Sequence, residues 1–338
     1  VSTVRAYIHE QPAALRRALA PLEPAVLDSV QALAPERVLL VGSGTSSFAA
    51  RVIRGRAARL LRVPVEVALP TDVLHYLPDA IDERTLVVAV SQSGRSTATL
   101  RSLALARDRG ARTVLVTGEP VRPGLADVVV DLRCGAEEVG AKTKGFTATI
   151  ATLAAVLGGA EDLAGIPDRV SAALDSEARV TAWARSLDPS VSMSITGSGP
   201  NLATAQEAAL KILETARIPV EAVETEEFLH GPHRRLGPGL ALVVLALDGP
   251  LLPRALALVD YAAPLVAGLL VVTDTDVPLP EGVTAVRLAP GLPEELTPLP
   301  AIVPLQLLAV ALTEHLGLSP EDAVLPDFHT RLASKETA

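Results

Sequence analysis

Lys211 and Glu214 stand three residues apart in the stretch AALKILETARIPVEAVETEEFLHGP, from Ala208 to Pro232. On a helix that spacing puts the ammonium and the carboxylate on one face. Glu221, Glu224, Glu226 and Glu227 follow, and His230 closes the run before Gly231-Pro232. A carboxylate and an imidazole gathered in one pocket are equipped to move protons at neutral pH. An acidic run is also what a solvated helix end looks like. The segment alone therefore leaves two readings open, an acid–base site and a wet surface with a structural histidine.

Two further stretches could hold an anion. A short apolar run, Arg37 to Val41, ends in Gly42-Ser43-Gly44-Thr45-Ser46-Ser47, and another, Thr85 to Val90, ends in Ser91-Gln92-Ser93-Gly94-Arg95-Ser96. Each apolar run is a buried strand by pattern, and a helix follows each loop. Small residues allow close backbone approach, while hydroxyls and the free N–H groups of a helix start surround a negative charge. Side by side at the carboxyl edge of a parallel sheet, the loops would form a phosphate cradle of neutral donors. Helix capping by Ser and Thr would account for the same composition. A dinucleotide fingerprint does not fit, because Gly42-Ser43-Gly44 lacks the third glycine and no ribose-binding acid follows the next strand. No Gly-Lys-Ser or Gly-Lys-Thr marks a Walker loop.

The elements that position these residues alternate. Strands are expected at Arg37–Val41, Val65–Leu69, Thr85–Val90, Thr113–Thr117 and Val128–Leu132, with helices between them and a helix over Gln11–Leu33 broken near Pro21 and Pro24. This spacing predicts an α/β fold with a parallel sheet covered on both faces. After a helical region, Glu161 to Leu187, the pattern restarts. Ser192–Thr196 is followed by Gly197-Ser198-Gly199-Pro200 and a helix, and Leu240–Leu247 and Leu269–Asp274 read as further strands. Strand, Gly-Ser-Gly and helix occur twice, which an internal duplication explains. The expected domains are residues 1–175, with the phosphate loops, and 176–338, with the Glu/His segment and the tail. The second half has no counterpart of Ser-Gln-Ser-Gly, so no ligand is expected there.

Composition narrows the classes. The 338 residues are 49% hydrophobic and 20% charged, a globular balance, with aromatics at only 2%. The formal net charge of −9 and the lack of a basic stripe exclude nucleic acid as the expected partner. Cys134, the single cysteine, permits no intrachain disulfide, in keeping with a reducing compartment. No uninterrupted apolar run approaches the ~18 residues of a membrane span, and the N-terminus has no signal-peptide pattern. A cytoplasmic protein without membrane contact is the expectation. His230 and His233 are separated by Pro232, so no metal site is expected there.

On Gly44-Thr45-Ser46, Ser91-Gln92-Ser93-Gly94, Thr143-Lys144, Phe146-Thr147 and Ala209-Leu210-Lys211 through His230-Gly231-Pro232, the chain resembles the tandem sugar isomerase (SIS) domain family. It is similar to the isomerase half of glucosamine-6-phosphate synthase and to the stand-alone SIS deaminases and deglycases, from about Arg37 to the C-terminus. The resemblance implies two SIS domains, each a parallel sheet flanked by helices in a flavodoxin-like three-layer sandwich. Gly44, Thr45, Ser46, Ser91, Gln92, Ser93 and Ser96 would hold a sugar phosphate, with Gly140 and Lys142 in a further substrate loop. Glu214 would shuttle a proton between C1 and C2, with Lys211 biasing its ionisation. His230 would assist ring opening and come from the neighbouring subunit of a homodimer. Lys335 is the candidate for a Schiff-base lysine, one residue late against the family pattern.

Other departures are Ser96 in place of Thr, Lys142 in place of Ser and Gly140 in place of Val. No glutaminase half and no N-terminal nucleophilic Cys are expected, and with them no ammonia drawn from glutamine. No cofactor and no metal are expected. Three functions follow: an amino sugar phosphate deaminase or aldose–ketose isomerase on a substrate like glucosamine-6-phosphate, a fructosamine-6-phosphate deglycase, or a non-catalytic module that senses a sugar phosphate. The pairing of Glu214 with His230 argues against the last, because a sensor needs only the phosphate cradle.

Overall fold

The structure, a computed structural model, describes residues 2–20, 35–159 and 161–335. Two parallel sheets organise it. β1 (Arg37–Val41), β2 (Val65–Ala68), β3 (Thr85–Val90), β4 (Arg112–Thr117) and β5 (Val128–Asp131) form one sheet in the order β2-β1-β3-β4-β5. β6 (Ser192–Gly197), β7 (Val220–Glu224), β8 (Leu240–Leu245), β9 (Gly268–Thr273) and β10 (Thr284–Arg287) form the other in the order β10-β9-β8-β6-β7. Read from the opposite edge, the second order repeats the first. The central strands TLVVAV and LALVVL are buried at every position, as a sheet covered by helices on both faces requires.

The duplication keeps its register. β6, β7 and β8 begin 155 residues after β1, β2 and β3 (192 against 37, 220 against 65, 240 against 85). Backbone detail repeats as well. Gly44 has φ 53° and ψ −128°, and Gly199 has φ 56° and ψ −130°, at the start of the helices Thr45–Leu61 and Pro200–Thr215.

By compactness the chain divides less simply than at residue 175. An N-terminal sheet unit comprises Ala13–Glu138, Lys144–Ala164 and Ala323–Ala338. A C-terminal sheet unit comprises Val1–Pro12, Val139–Thr143 and Gly165–Asp322. Each terminal segment thus joins the unit built mostly from the other half of the sequence. In the C-terminal unit Arg5 bonds Glu314 at 2.8 Å, and Gln11 bonds Gln306 at 2.8 Å, which ties the first helices down.

In the N-terminal unit one sheet face packs Leu39, Val41, Val87, Ala89 and Leu115 against Leu100, Leu103 and Ala106 of the helix Thr97–Asp108. The helices Thr45–Leu61 and Lys144–Gly158 pack against each other elsewhere in this unit. In the C-terminal unit Leu242, Val244, Leu269 and Val271 meet Ala255, Leu258 and Val259 of the helix Leu252–Ala262. The helix Pro298–His315 packs against Pro200–Thr215.

Two expectations need correction here. The segment Glu294–His315 is long and apolar enough to cross a membrane, although no uninterrupted apolar run marks it. Pro298, Pro300, Pro304 and Gln306 interrupt the run without making it polar. Every residue from Pro298 to Thr313 is buried inside the structure, as befits a helix apolar all round, while Glu314 near its end is exposed. The second correction concerns β7. Its sequence, VEAVE, alternates, yet its glutamates made it look like part of an acidic run. Of the expected helix over Gln11–Leu33, Gln11–Ala18 is helical. The part from Pro21 to Leu33 lies outside the described residues.

Candidate active site

The N-terminal unit carries both hydroxyl-rich loops at its topological switch point. β1 and β3 are neighbours, and their chain continuations run to opposite sides of the sheet, to β2 and β4. Such a point is where open α/β sheets bind ligands. Ordinary capping does not explain the loops. The helix Thr45–Leu61 starts at Gly44 and the helix Thr97–Asp108 at Ser96, and neither start is closed by a hydrogen bond from its own capping side chain. At the first start Ser47 is buried, and its Oγ has no partner among the described residues. Ser46 and Thr45 are half-buried beside it.

The second loop is a fixed turn. Gly94 N–H donates to the Ser91 carbonyl at 2.9 Å, and the Ser96 N–H reaches Ser91 Oγ at 3.4 Å. Gly94 has φ 62°, and a Cβ there would lie 2.5 Å from Val121 Cγ1, so the turn admits only glycine. Ser93 Oγ accepts the Arg95 N–H at 3.4 Å, and Ser96 Oγ accepts from Thr99 Oγ1 at 2.9 Å. The tail reaches this same loop. Lys335 forms an isolated antiparallel bridge with Ser96, and the Thr97 N–H donates to the Ser334 carbonyl at 3.3 Å. One residue late against the family pattern, Lys335 still arrives beside an expected phosphate-holding residue.

Glu137, which the sequence reading left out, fixes Gln92. It is 8% exposed, and its carboxylate accepts the N–H groups of Lys144 at 3.1 Å and Gly145 at 3.0 Å at the start of the helix Lys144–Gly158. A carboxylate there is favoured by the helix dipole. Its Oε2 also accepts from Gln92 Nε2 at 2.8 Å, so the Gln92 amide nitrogen is committed inward. Gly145 makes room for this, because a Cβ there would stand 2.4 Å from Gln92 Nε2. Gly145→Ala is expected to push Gln92 off Glu137 and to weaken sugar phosphate binding about tenfold, roughly 1.4 kcal/mol. Stability should change little, since the displaced group is the end of a flexible side chain. Titration of a sugar phosphate into both proteins, with melting curves alongside, checks this. Cys134 is no nucleophile, because burial and the nearby Glu137 charge push its thiol up to about 11.

In the C-terminal unit the helix Pro200–Thr215 carries the acid–base candidates. Lys211 Nζ lies 2.5 Å from Glu214 Oε2 and 3.4 Å from Glu207 Oε1. The lysine side chain is 2% exposed and that of Glu207 is 0%, while that of Glu214 is 35% exposed. Burial acts to lower the Lys211 pKa, but the two carboxylates outweigh it and hold the ammonium above its ordinary value. Glu214 is therefore a carboxylate open to a ligand, backed by a buried cation. Glu207 was missed, although Glu-x-x-x-Lys is the i,i+4 spacing that should have found it.

The remaining candidates are scattered. Gly140, exposed, and Lys142, half-buried, lie on the segment Val139–Thr143, which belongs to the C-terminal unit and not to the unit of the phosphate loops. His230 follows the short helix Thr225–Phe228; its side chain is 66% exposed and stands 4.0 Å from Glu226 Oε1. Two of the acids in its run are structural. Glu221 accepts from Ser194 Oγ at 2.8 Å and pairs with Arg235, and Glu224 caps the Thr225–Phe228 helix by accepting the Glu227 N–H at 3.1 Å.

Comparison with known proteins agrees with this architecture. Residues 33–157 match the SIS domain. Glutamine–fructose-6-phosphate aminotransferase (isomerizing) of Pyrococcus horikoshii is 29% identical over 329 residues, 93% of this chain and 55% of that protein. The chain thus spans about half the length of the curated relatives it matches. Among solved structures, a candidate phosphosugar isomerase from Clostridium difficile 630 is 25% identical and superposes over 100% of both chains with a TM-score of 0.86. The C-terminal domain of glucosamine-fructose-6-phosphate aminotransferase from Francisella tularensis shares the fold, at 22% identity, over 95% of this chain and 98% of that one, with a TM-score of 0.85. Residues 33–157 thus carry an SIS domain, and the second five-stranded sheet repeats the topology of the first.

Proposed function

We propose that the protein is a metal-independent phosphosugar enzyme, an amino sugar phosphate deaminase with aldose–ketose isomerase chemistry at its centre. The observation that carries this reading is Glu214, a solvent-reachable carboxylate pinned to the fully buried Lys211. A phosphate-sensing module has no use for such a pair. The relatives named above, which act on or are named for phosphosugars, point to the same class of substrate.

The phosphate is assigned to the loops Gly44–Ser47 and Ser91–Ser96, through hydroxyls and helix-start N–H groups. An anchored phosphate converts encounter with the sugar into a fixed geometry. His230 assists ring opening; its exposure in the single chain suits a residue offered to a second subunit of a homodimer. Glu214 takes the C2 proton of the open-chain aldose and returns it to C1 through an enol-type intermediate. With an amino group on C2, the product of that transfer is an imine, and water hydrolyses it to the ketose phosphate and ammonia. Lys335, whose backbone pairs with that of Ser96, is assigned in this reading to engage a ketose carbonyl as a Schiff base.

Ammonia release from glucosamine-6-phosphate by the intact protein is the test. Release with formation of fructose-6-phosphate supports the reading. No ammonia from this substrate, with amine released from a fructosamine-6-phosphate, would replace it with the deglycase. Turnover of neither, with a sugar phosphate still raising the melting temperature, would leave only a sensor.

A further inference from the structure

The Gly-Ser-Gly turn of the second sheet copies the first in backbone but not in chemistry. At the first switch point the loop after β3 supplies Ser91, Ser93 and Ser96. The matching positions after β8 are Ala246, Asp248 and Leu251 (246 against 91, 248 against 93, 251 against 96). The hydroxyls that would hold a phosphate are gone, and a carboxylate replaces one of them. A second carboxylate, Glu294, leans over one glycine of each loop, Gly199 after β6 and Gly249 after β8. A Cβ on Gly249 would lie 2.9 Å from its carboxyl carbon, and one on Gly199 3.3 Å from its Oε1.

A cavity with room for one water-sized group remains beside Glu294, walled by Leu245, Leu247, Leu251 and Leu252. Ser198 lines it and is 8% exposed, and its Oγ is buried without a partner among the described residues. Asn201 lines it too, but its amide nitrogen is committed to Thr297 Oγ1 at 2.8 Å. Burial, then the charges of Glu295 and Asp248, push the Glu294 carboxyl above its ordinary value, the signature of a charge that nothing positive offsets.

We propose that this cavity is a site for an ammonium ion, NH4+, held by the Glu294 carboxylate and Ser198 Oγ against the leucine wall. An anion is excluded, because it would face Glu294 with Asp248 and Glu295 nearby. Magnesium or calcium needs six or more oxygen ligands, and leucine supplies none. A water could satisfy Ser198 but would leave the carboxylate charge unmatched. Ammonium is water-sized and brings both the charge and the donors. The inference does not rest on the proposed reaction, although ammonia release would supply the ion.

The experiment is thermal unfolding of the full chain in ammonium chloride, with sodium chloride and tetramethylammonium chloride at matched ionic strength. Tetramethylammonium carries the charge but no N–H and is too large for the cavity. A saturable rise in melting temperature specific to ammonium is expected from mass action. Glu294→Gln should melt higher than the parent without ammonium and show no ammonium response. Ser198→Ala should need about tenfold more ammonium for half the effect, as loss of a hydrogen bond to a charged group requires. Equal shifts in all three salts would overturn the site. So would an ammonium-specific shift that survives in Glu294→Gln.

Discussion

Glu214→Gln is expected to lower kcat for the proposed ammonia release by ~10²–10⁴-fold, the range that general acid–base catalysis supplies, while KM and the melting temperature should stay near those of the parent. The amide keeps the shape of the side chain and still presents an oxygen to Lys211 Nζ, 2.5 Å from Glu214 Oε2 in the parent. It cannot accept the C2 proton. Lys211 retains Glu207 at 3.4 Å, so the helix keeps its buried ion pair and the fold is spared. The loops proposed to hold the phosphate belong to the other compact unit, so sugar phosphate binding is expected to be untouched by the change. The informative comparison is therefore kcat against the sugar-phosphate-induced rise in melting temperature. A collapse of the first with retention of the second assigns the proton to Glu214. Retention of both would move the base elsewhere, and loss of both would mean that Glu214 holds the protein together.

The architecture was legible in the sequence because buried parallel strands are short apolar runs, and β1, β3, β4, β6, β8 and β9 were each placed within a residue or two. β10 has only four residues, TAVR, and carries no such run. β7 was hidden because its glutamates have structural partners in the fold, as Glu221 does in Ser194 and Arg235. The two hydroxyl-rich loops at the switch point and the pairing of Lys211 with Glu214 were readable from residue type and spacing. Glu137 was not, since its value lies in meeting Gln92, which is 45 residues distant in sequence. The exchange of terminal segments between the units likewise depends on contacts such as Arg5 with Glu314, 309 residues apart, which no local pattern encodes. The duplication was visible as Gly-Ser-Gly twice, but its register, 155 residues for the first three strands of each sheet and 156 for the last two, appeared only when all the strands were placed. That register also matches Lys211 with Arg56, a buried cation on the corresponding helix, whose Nη1 lies 3.2 Å from Asp162.

Lys211→Met removes the cation from between two carboxylates and should be the most destabilising change in the chain described here. Glu207 has a side chain with 0% exposure, so its charge would be left in the core without its ammonium partner. Breaking one side of a buried pair costs about 3–5 kcal/mol. For a unit of this size that lowers the melting temperature by roughly 6–20 °C. The double variant Lys211→Met with Glu207→Gln should recover much of the loss, because no full charge then remains buried. A loss as deep in the double variant as in the single would refute the electrostatic account and leave packing as the cause. The pH dependence separates the two further. The folded Lys211 pKa lies above its ordinary value, so the stability it adds is fully present below ~10.4 and fades as pH rises through the folded value. The parent should lose stability over that alkaline range, and the double variant should lack this step. Activity follows charge as well. In the single variant Glu214 loses the buried ammonium 2.5 Å from its Oε2, so its carboxylate is no longer held in place and kcat should fall even at temperatures where the protein is folded.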